Sequence, residues 1–110
     1  MMYSENLRNA IINTATSGDN TIIAAPSDGY IAIDHINILP TSAVTVTFKS
    51  STTAITGPYP LDTKQAYTIE NATGNEHGVM TCTRGESFVM NLGAAVQVGG
   101  FVRYRVVGSS

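Results

Sequence analysis

The sequence predicts an all-β fold, an antiparallel two-sheet β-sandwich of about eight to nine strands. Three observations predict it. The apolar residues of the second half fall in short runs: Ala43–Ser50 (AVTVTFKS), Gly78–Thr83 (GVMTCT), Glu86–Leu92 (ESFVMNL) and Val96–Val107 (VQVGGFVRYRVV). Each run is rich in Val, Thr or aromatics, the side chains that suit a pleated surface. Each is bounded by Gly, Pro, Ser or Asn, which favour turns. With 110 residues and 43% hydrophobic side chains, the chain has the size and apolar content of one domain around one core. Residues 9–108 therefore read as a single β-sandwich domain, and residues 1–8 as an N-terminal arm.

The elements follow in order. Met1–Asn6 is polar, with Tyr3 as its aromatic, and reads as a loose arm. Leu7–Thr14 carries adjacent β-branched Ile11 and Ile12 and favours a strand. Ser17-Gly18-Asp19-Asn20 has the composition of a turn, Thr21–Ala25 that of a short buried strand, and Pro26-Ser27-Asp28-Gly29 that of a second turn. Tyr30–Pro40 (YIAIDHINILP) is the longest apolar strand, and its pattern changes phase. Ile31 and Ile33 share one face, and simple alternation puts Ile36 and Ile38 on the other. One inserted residue near Asp34-His35 returns all four to the core, so a β-bulge or bend is expected there. In a straight strand one Ile pair would face outward or meet a second layer.

Val44, Val46 and Phe48 alternate with Thr45, Thr47 and Lys49, the cleanest half-buried strand in the chain. A hairpin between Tyr30–Leu39 and Ala43–Ser50 is the expected connection. Ser50–Ala54 reads as a polar turn. Pro58 and Pro60 flank Tyr59 and lack ladder N–H groups, so Ile55–Leu61 is expected at a sheet edge or crossing between sheets. Asp62–Gln65 is a turn, Ala66–Glu70 a strand, and Asn71–Gly78 a loop carrying Glu76 and His77. Val79–Thr83 and Ser87–Leu92 flank a tight Arg84-Gly85 turn. In the last run, Gly99-Gly100 marks a bulge or a close backbone approach that lets a long strand bend.

Charged residues make up only 13% of the chain, about half the usual share. A neutral surface of Thr, Ser and Asn is easily desolvated and suits permanent burial against other subunits, although small secreted β-domains share this composition. The net charge is −2 and no basic cluster exists; Arg103 and Arg105 share a strand face but make no nucleic-acid stripe. Cys82 is the only cysteine, so no intrachain disulfide forms; in Val-Met-Thr-Cys-Thr it reads as a small packed hydrophobe, compatible with a reducing cytoplasm. The start, MMYSENLRNAI, lacks a signal-peptide pattern, and no run approaches the ~20 apolar residues of a membrane span. The expectation is a soluble chain made in the cytoplasm, with neither nucleic acid nor membrane as partner.

Ionisable groups are thinly spread. His35 beside Asp34 has the ingredients of a general-base pair, but consecutive strand residues point to opposite faces unless bulged. His35, His77, Glu70 and Glu76 hold the elements of a metal site, yet the His-x-His of cupin-type sandwiches is missing. Asn71-Ala72-Thr73 matches the glycosylation sequon and reads as a loop Asn. Tyr59, between prolines, has the flat ring with which binding modules stack on sugars. No catalytic, cofactor-binding or metal-binding residue is expected, and no cofactor.

The ordering VTVTFKS, then AITGPYPL, then RGESFVMNLGAAVQVGGFVRYRVV resembles a group of small tailed-phage structural proteins. The positions that carry the resemblance are Phe48, Thr56, Gly57, Pro58, Gly85, Glu86, Asn91, Leu92, Ala95, Val96, Val98, Gly100 and Tyr104. It spans roughly Thr21 to Val107, and departs in the loop Asn71–Gly78, which lacks a Pro- and aromatic-rich stretch. The resemblance implies a jelly-roll-like capsid decoration (cement) protein. Such proteins sit on the outer phage head at symmetry positions, stitch neighbouring capsomers of the major capsid protein together, and assemble as homodimers or homotrimers in the host cytoplasm and virion. Tyr3, Asn6, Leu7 and Tyr59 are the candidate capsid or subunit contacts. The alternative from a different class is a carbohydrate-binding module of a phage tail or fibre, with Tyr59 in the contact.

Overall fold

The structure is a computed structural model that describes residues 7–71 and 78–108. Among these residues ten strands form. They are β1 (Arg8–Thr14), β2 (Gly18–Ile23), β3 (Tyr30–Pro40), β4 (Val44–Ser50), β5 (Thr53–Ala54), β6 (Tyr59–Leu61), β7 (Tyr67–Glu70), β8 (Met80–Thr81), β9 (Phe88–Leu92) and β10 (Val98–Val107). They divide into two antiparallel five-stranded sheets. Sheet A runs β1-β10-β3-β7, with β8 also on β3; sheet B runs β2-β9-β4-β5, with β6 also on β4.

The pairing is nested. The strand β1 pairs β10, β2 pairs β9, β3 pairs β8 and β7, and β4 pairs β6 and β5. The chain behaves as one long hairpin with its tip at Ser51-Thr52, rolled up so that β10 also reaches β3 and β9 also reaches β4. Strands β1 to β4 alternate between the sheets, and the return half retraces the same course. This is a jelly roll. The all-β, two-sheet antiparallel sandwich read from the sequence is the fold observed, with one very short strand, β5, where a polar turn is expected, and with β8 shorter than the expected Val79–Thr83.

The phase change in β3 is resolved as expected. The register steps from His35 opposite Arg103 to Ile33 opposite Tyr104, which leaves Asp34 as the extra, unopposed residue of a bulge. Ile31, Ile33, Ile36 and Ile38 are all fully buried in consequence. They face Val46, Phe48, Phe88, Met90 and Leu92 from sheet B. Phe48 and Phe88 stack with centroids 5.6 Å apart and planes inclined by 10°. Each such buried side chain contributes about 1.5–3 kcal/mol through removal from water, and the offset aromatic contact adds to that.

Three sequence expectations are corrected. The hairpin between Tyr30–Leu39 and Ala43–Ser50 does not form: β3 lies in sheet A and β4 in sheet B, and residues 41–43 carry the chain across the sandwich. The apolar stripes of these two strands therefore face each other across the core instead of sharing one face. The turn placed at Ser17–Asn20 lies one step earlier, because Gly18, Asp19 and Asn20 already belong to β2, which ends at Ile23 and not at Ala25. Asn20 uses its turn chemistry from inside the strand. Its Oδ1 accepts from the Thr14 hydroxyl at 2.6 Å, and its Nδ2 donates to the Thr16 carbonyl at 2.8 Å, which ties β2 to the β1–β2 connection. Finally, no bulge occurs at Gly99-Gly100, since the register runs unbroken through both on each side. The close approach is real, however: Gly100 has φ 152, and a Cβ there would stand 1.9 Å from the Asn37 carbonyl oxygen.

The other end segments agree with the sequence. Strand β6, with Pro60 at its centre, lies on the rim of sheet B beside β4. A turn spans Asp62–Gln65, closed by Gln65 N–H donating to the Asp62 carbonyl at 3.1 Å, and another spans Thr83–Glu86 at 3.0 Å. Cys82 is buried, and desolvation pushes its thiol up to about 11 from 9.0. Ser50, a buried polar residue, donates to the Glu86 carboxylate at 2.7 Å and accepts from the Thr83 N–H at 2.9 Å, so its hydroxyl is satisfied.

Candidate functional site

Opposed residues in an antiparallel ladder point to the same face, so the register defines what sheet A shows to solvent. Ala10, Ile12, Val102, Ile36 and Ile38 take the core side. The outward rows are Asn9–Arg103–His35–Glu70, Ile11–Phe101–Asn37–Thr68 and Asn13–Gly99–Leu39. The centre of this face is apolar. Ile11 is 80% exposed and Leu39 45% exposed, and Phe101 lies half-buried next to Ile11. Gly99 adds no side chain between Asn13 and Leu39.

The surrounding polar groups are largely held by their neighbours. Asn37 Nδ2 donates to Thr68 Oγ1 at 2.7 Å, Gln97 Nε2 donates to Asn13 Oδ1 at 2.6 Å, and Arg103 Nε reaches Asn9 Oδ1 at 3.3 Å. His35 tilts against Phe101 with ring centroids 5.2 Å apart, which fixes the edge of the patch. An apolar centre with a rim of pre-bonded amides is the composition of an interaction surface, because little polar desolvation opposes its burial. The outer face of sheet B contrasts with it. There Lys49 Nζ contacts both carboxylate oxygens of Asp19 at 3.0 Å, and Asn91 Nδ2 donates to Asp19 at 2.7 Å. These bonds, Asn91 first and Lys49 second, hold Asp19 below its ordinary pKa.

The lateral edges of the sandwich also differ. At one side β6 and β7 meet through Tyr59 and Tyr67, whose rings lie 4.6 Å apart, with Phe48 behind them at 6.4 and 6.0 Å. The Tyr67 hydroxyl is buried and makes no hydrogen bond of good geometry among the described residues. Desolvation raises its pKa well above the ordinary value, and the neighbouring Tyr59 acts in the same direction. A cleft of about 460 Å³ opens beside this pair, lined by Ile55, Thr56, Tyr59, Ile69, Val79 and Met80. A second, of about 520 Å³, lies at the end of sheet B between Thr45, Pro60, Asp62 and Gly93. Neither gathers convergent ionisable groups.

The sequence-derived candidates separate. Leu7 is half-buried at the start of β1, directly before Arg8. Tyr59 is half-buried against Tyr67 and Phe48, so one side of its ring already packs inside the molecule. Tyr3 and Asn6 lie outside the described residues, as do Glu76 and His77. Asp34 and His35 do not work as a pair: Asp34 Oδ1 accepts from Arg105 Nη2 at 3.2 Å and from Asn71 Nδ2 at 3.0 Å, while His35 faces Phe101. His35 does stand opposite Glu70 in the ladder. Among the described residues no three His, Cys, Asp or Glu side chains gather into a metal-holding group. Arg103 is exposed while Arg105 is buried against Asp34, so the two arginines make no joint basic patch.

The patch Ile11–Leu39–Phe101 was not among the sequence candidates. One signal pointed to half of it: Ile11 and Ile12 are adjacent in a strand, so one of them had to face outward. Comparison of the chain with protein families, with curated proteins and with solved structures found no match in any of the three.

Proposed function

We propose that this chain is a non-enzymatic structural protein of a tailed-phage virion, a decoration (cement) protein that binds the outer head and ties neighbouring capsomers of the major capsid protein together. The observation that carries the proposal is the outward face of sheet A, where Ile11, Leu39 and Phe101 form an apolar centre among bonded amides, with the charged Arg103 and Glu70 confined to one row at its side. A jelly roll with a sparse charge complement, 13% of residues, supports it, because such a surface is cheap to desolvate against a lattice. Many copies, each with a modest contact, stabilise a shell by multivalency. No transition state has to be stabilised for that work.

The test is binding of the purified chain to tailed-phage heads prepared without it, followed by heating of the decorated heads. Saturable binding with raised head stability is expected. Leu39→Asp should weaken binding at least tenfold while leaving the melting curve of the isolated chain in place. Absence of binding, or binding indifferent to Leu39→Asp, overturns the proposal. The alternative as a carbohydrate module depends on Tyr59, and a glycan array with the wild-type chain and Tyr59→Ala decides it.

A further inference from the structure

Sheet edges expose unpaired N–H and C=O groups, and proteins that stay monomeric blunt them with short strands, prolines, bulges or charges. Three rims of this sandwich are blunted. Strands β5, β6, β7 and β8 have two, three, four and two residues, and β6 contains Pro60. Strand β2 carries a register shift between Thr21 and Ile23 and the charged Asp19. Strand β1 is different. It is seven residues long, pairs with β10 without a register break, contains no proline, and has its single charge, Arg8, at its first position. It also aims Ile11, its middle residue and the most exposed large hydrophobic among the described residues, outward.

We infer that β1 pairs antiparallel with β1 of a second copy about a two-fold axis at Ile11, joining two sheets A into one continuous sheet. The sequence of the strand is self-complementary about that residue. Ile11 stands opposite Ile11 of the partner subunit, and Asn9 opposite Asn13 of the partner subunit, so amide meets amide on the same outward face. Arg8 falls opposite Thr14 of the partner subunit, which keeps the two arginines at opposite ends of the joint and avoids like-charge repulsion. On the core side Ala10 meets Ile12 of the partner subunit, which continues the apolar interior of each sandwich. The axis is perpendicular to the sheet, so both outward faces look the same way. Phe101 and Ile11 of both subunits then form one apolar strip twice as long as either alone. This deepens the proposed role by naming the dimer that would present that strip to a shell, and its test uses no heads.

The experiment combines mass in solution with a cross-linking trap. Directly opposed antiparallel residues have Cα atoms about 4.5–5.5 Å apart, within the roughly 4.4–6.8 Å that a disulfide spans. The wild-type chain at tens of micromolar should show twice its 11.6 kDa mass by light scattering. Ile11→Cys should form a covalent dimer under mild oxidation at least tenfold faster than Leu39→Cys, which shares the outward face but not the axis. Cys82 is buried and does not compete. Ile11→Lys should halve the mass and leave the melting transition of the fold intact. A monomeric wild-type chain, equal cross-linking of the two cysteine variants, or a dimeric Ile11→Lys variant overturns the inference. Failure of head binding with a dimer intact would instead count against the proposed function alone.

Discussion

The two lateral edges of the sandwich solve the same problem in opposite ways. On the β6/β7 side, Tyr59 and Tyr67 reach from different sheets and pack with tilted rings 4.6 Å apart beside Phe48, so side chains close the gap that the short strands leave. On the β1/β2 side, the end strand of sheet A is long and regular, carries its one charge at its first residue, and turns Ile11 outward. The sealed edge spends its aromatics on the molecule's own stability. The open edge leaves backbone and hydrophobic surface available to something else. Stability and association are thus assigned to different rims, and mutations should separate them.

The largest effect is expected behind the sealed edge. Phe48 is fully buried and touches Phe88, Tyr59 and Tyr67, so Phe48→Ala should cost about 3–5 kcal/mol in denaturant unfolding. An undiminished transition would show that this ring does not anchor the two sheets. Tyr59→Ala removes a half-buried ring from the same cluster and should cost less, about 2 kcal/mol, while widening the adjoining cleft. An effect as large as that of Phe48→Ala would mean that the seal, and not the interior, holds the sheets together.

Alkaline pH probes the same region. Burial raises the Cys82 thiol from 9.0 to about 11, and Tyr67 also lies above its ordinary value of 10.0. In both cases the folded state holds its proton more tightly than the unfolded chain. The corresponding stability is complete below pH 9 and is lost as pH rises through 11 for the thiol, with the phenol adding to the loss from pH 10 upward. Unfolding free energy measured at steps from pH 8 to 11 should fall, and Cys82→Ala should flatten the early part of the fall. A flat profile for the wild-type chain would contradict the burial of both groups. Tyr67→Phe should change stability at neutral pH by less than about 1 kcal/mol, because it deletes a hydroxyl that gains no well-formed hydrogen bond. The smallest effect belongs to the open edge: Ile11→Lys should stay within about 0.5 kcal/mol of the wild-type monomer stability, as exposed substitutions do.

Much of this architecture is legible in the sequence, and the lapses have a common cause. Alternation in Ala43–Ser50 and the phase change in Tyr30–Pro40 are local signals, and both β4 and the Asp34 bulge follow from them. Which strands pair is non-local. Thr41-Ser42 looks the same whether it turns a hairpin or crosses between sheets, so the sequence marks both strands but not that they lie in different sheets. Gly18-Asp19-Asn20 has turn composition because Asn20 ties down a neighbouring connection from within its strand. The outward patch joins Ile11, Leu39 and Phe101 across three strands, and only their register brings them together. Tyr59 stood out as a ring between prolines, but its packing partner Tyr67 comes from the other sheet.

The nested pairing has a consequence for how the chain is made. A ribosome delivers β1 first among these strands and its partner β10 last, so the outermost ladder of sheet A cannot close until translation has passed Tyr104. The hairpin of β4 with β5 can form early, and each later segment must find a partner made progressively longer ago. A chain interrupted before Val98 therefore presents Ile12, Ile36 and Ile38 to water, along with a β1 that is open on both sides. Premature termination before Val98 removes the ladder partner of β1, and chains truncated there are expected to pellet from solution more readily than the full chain.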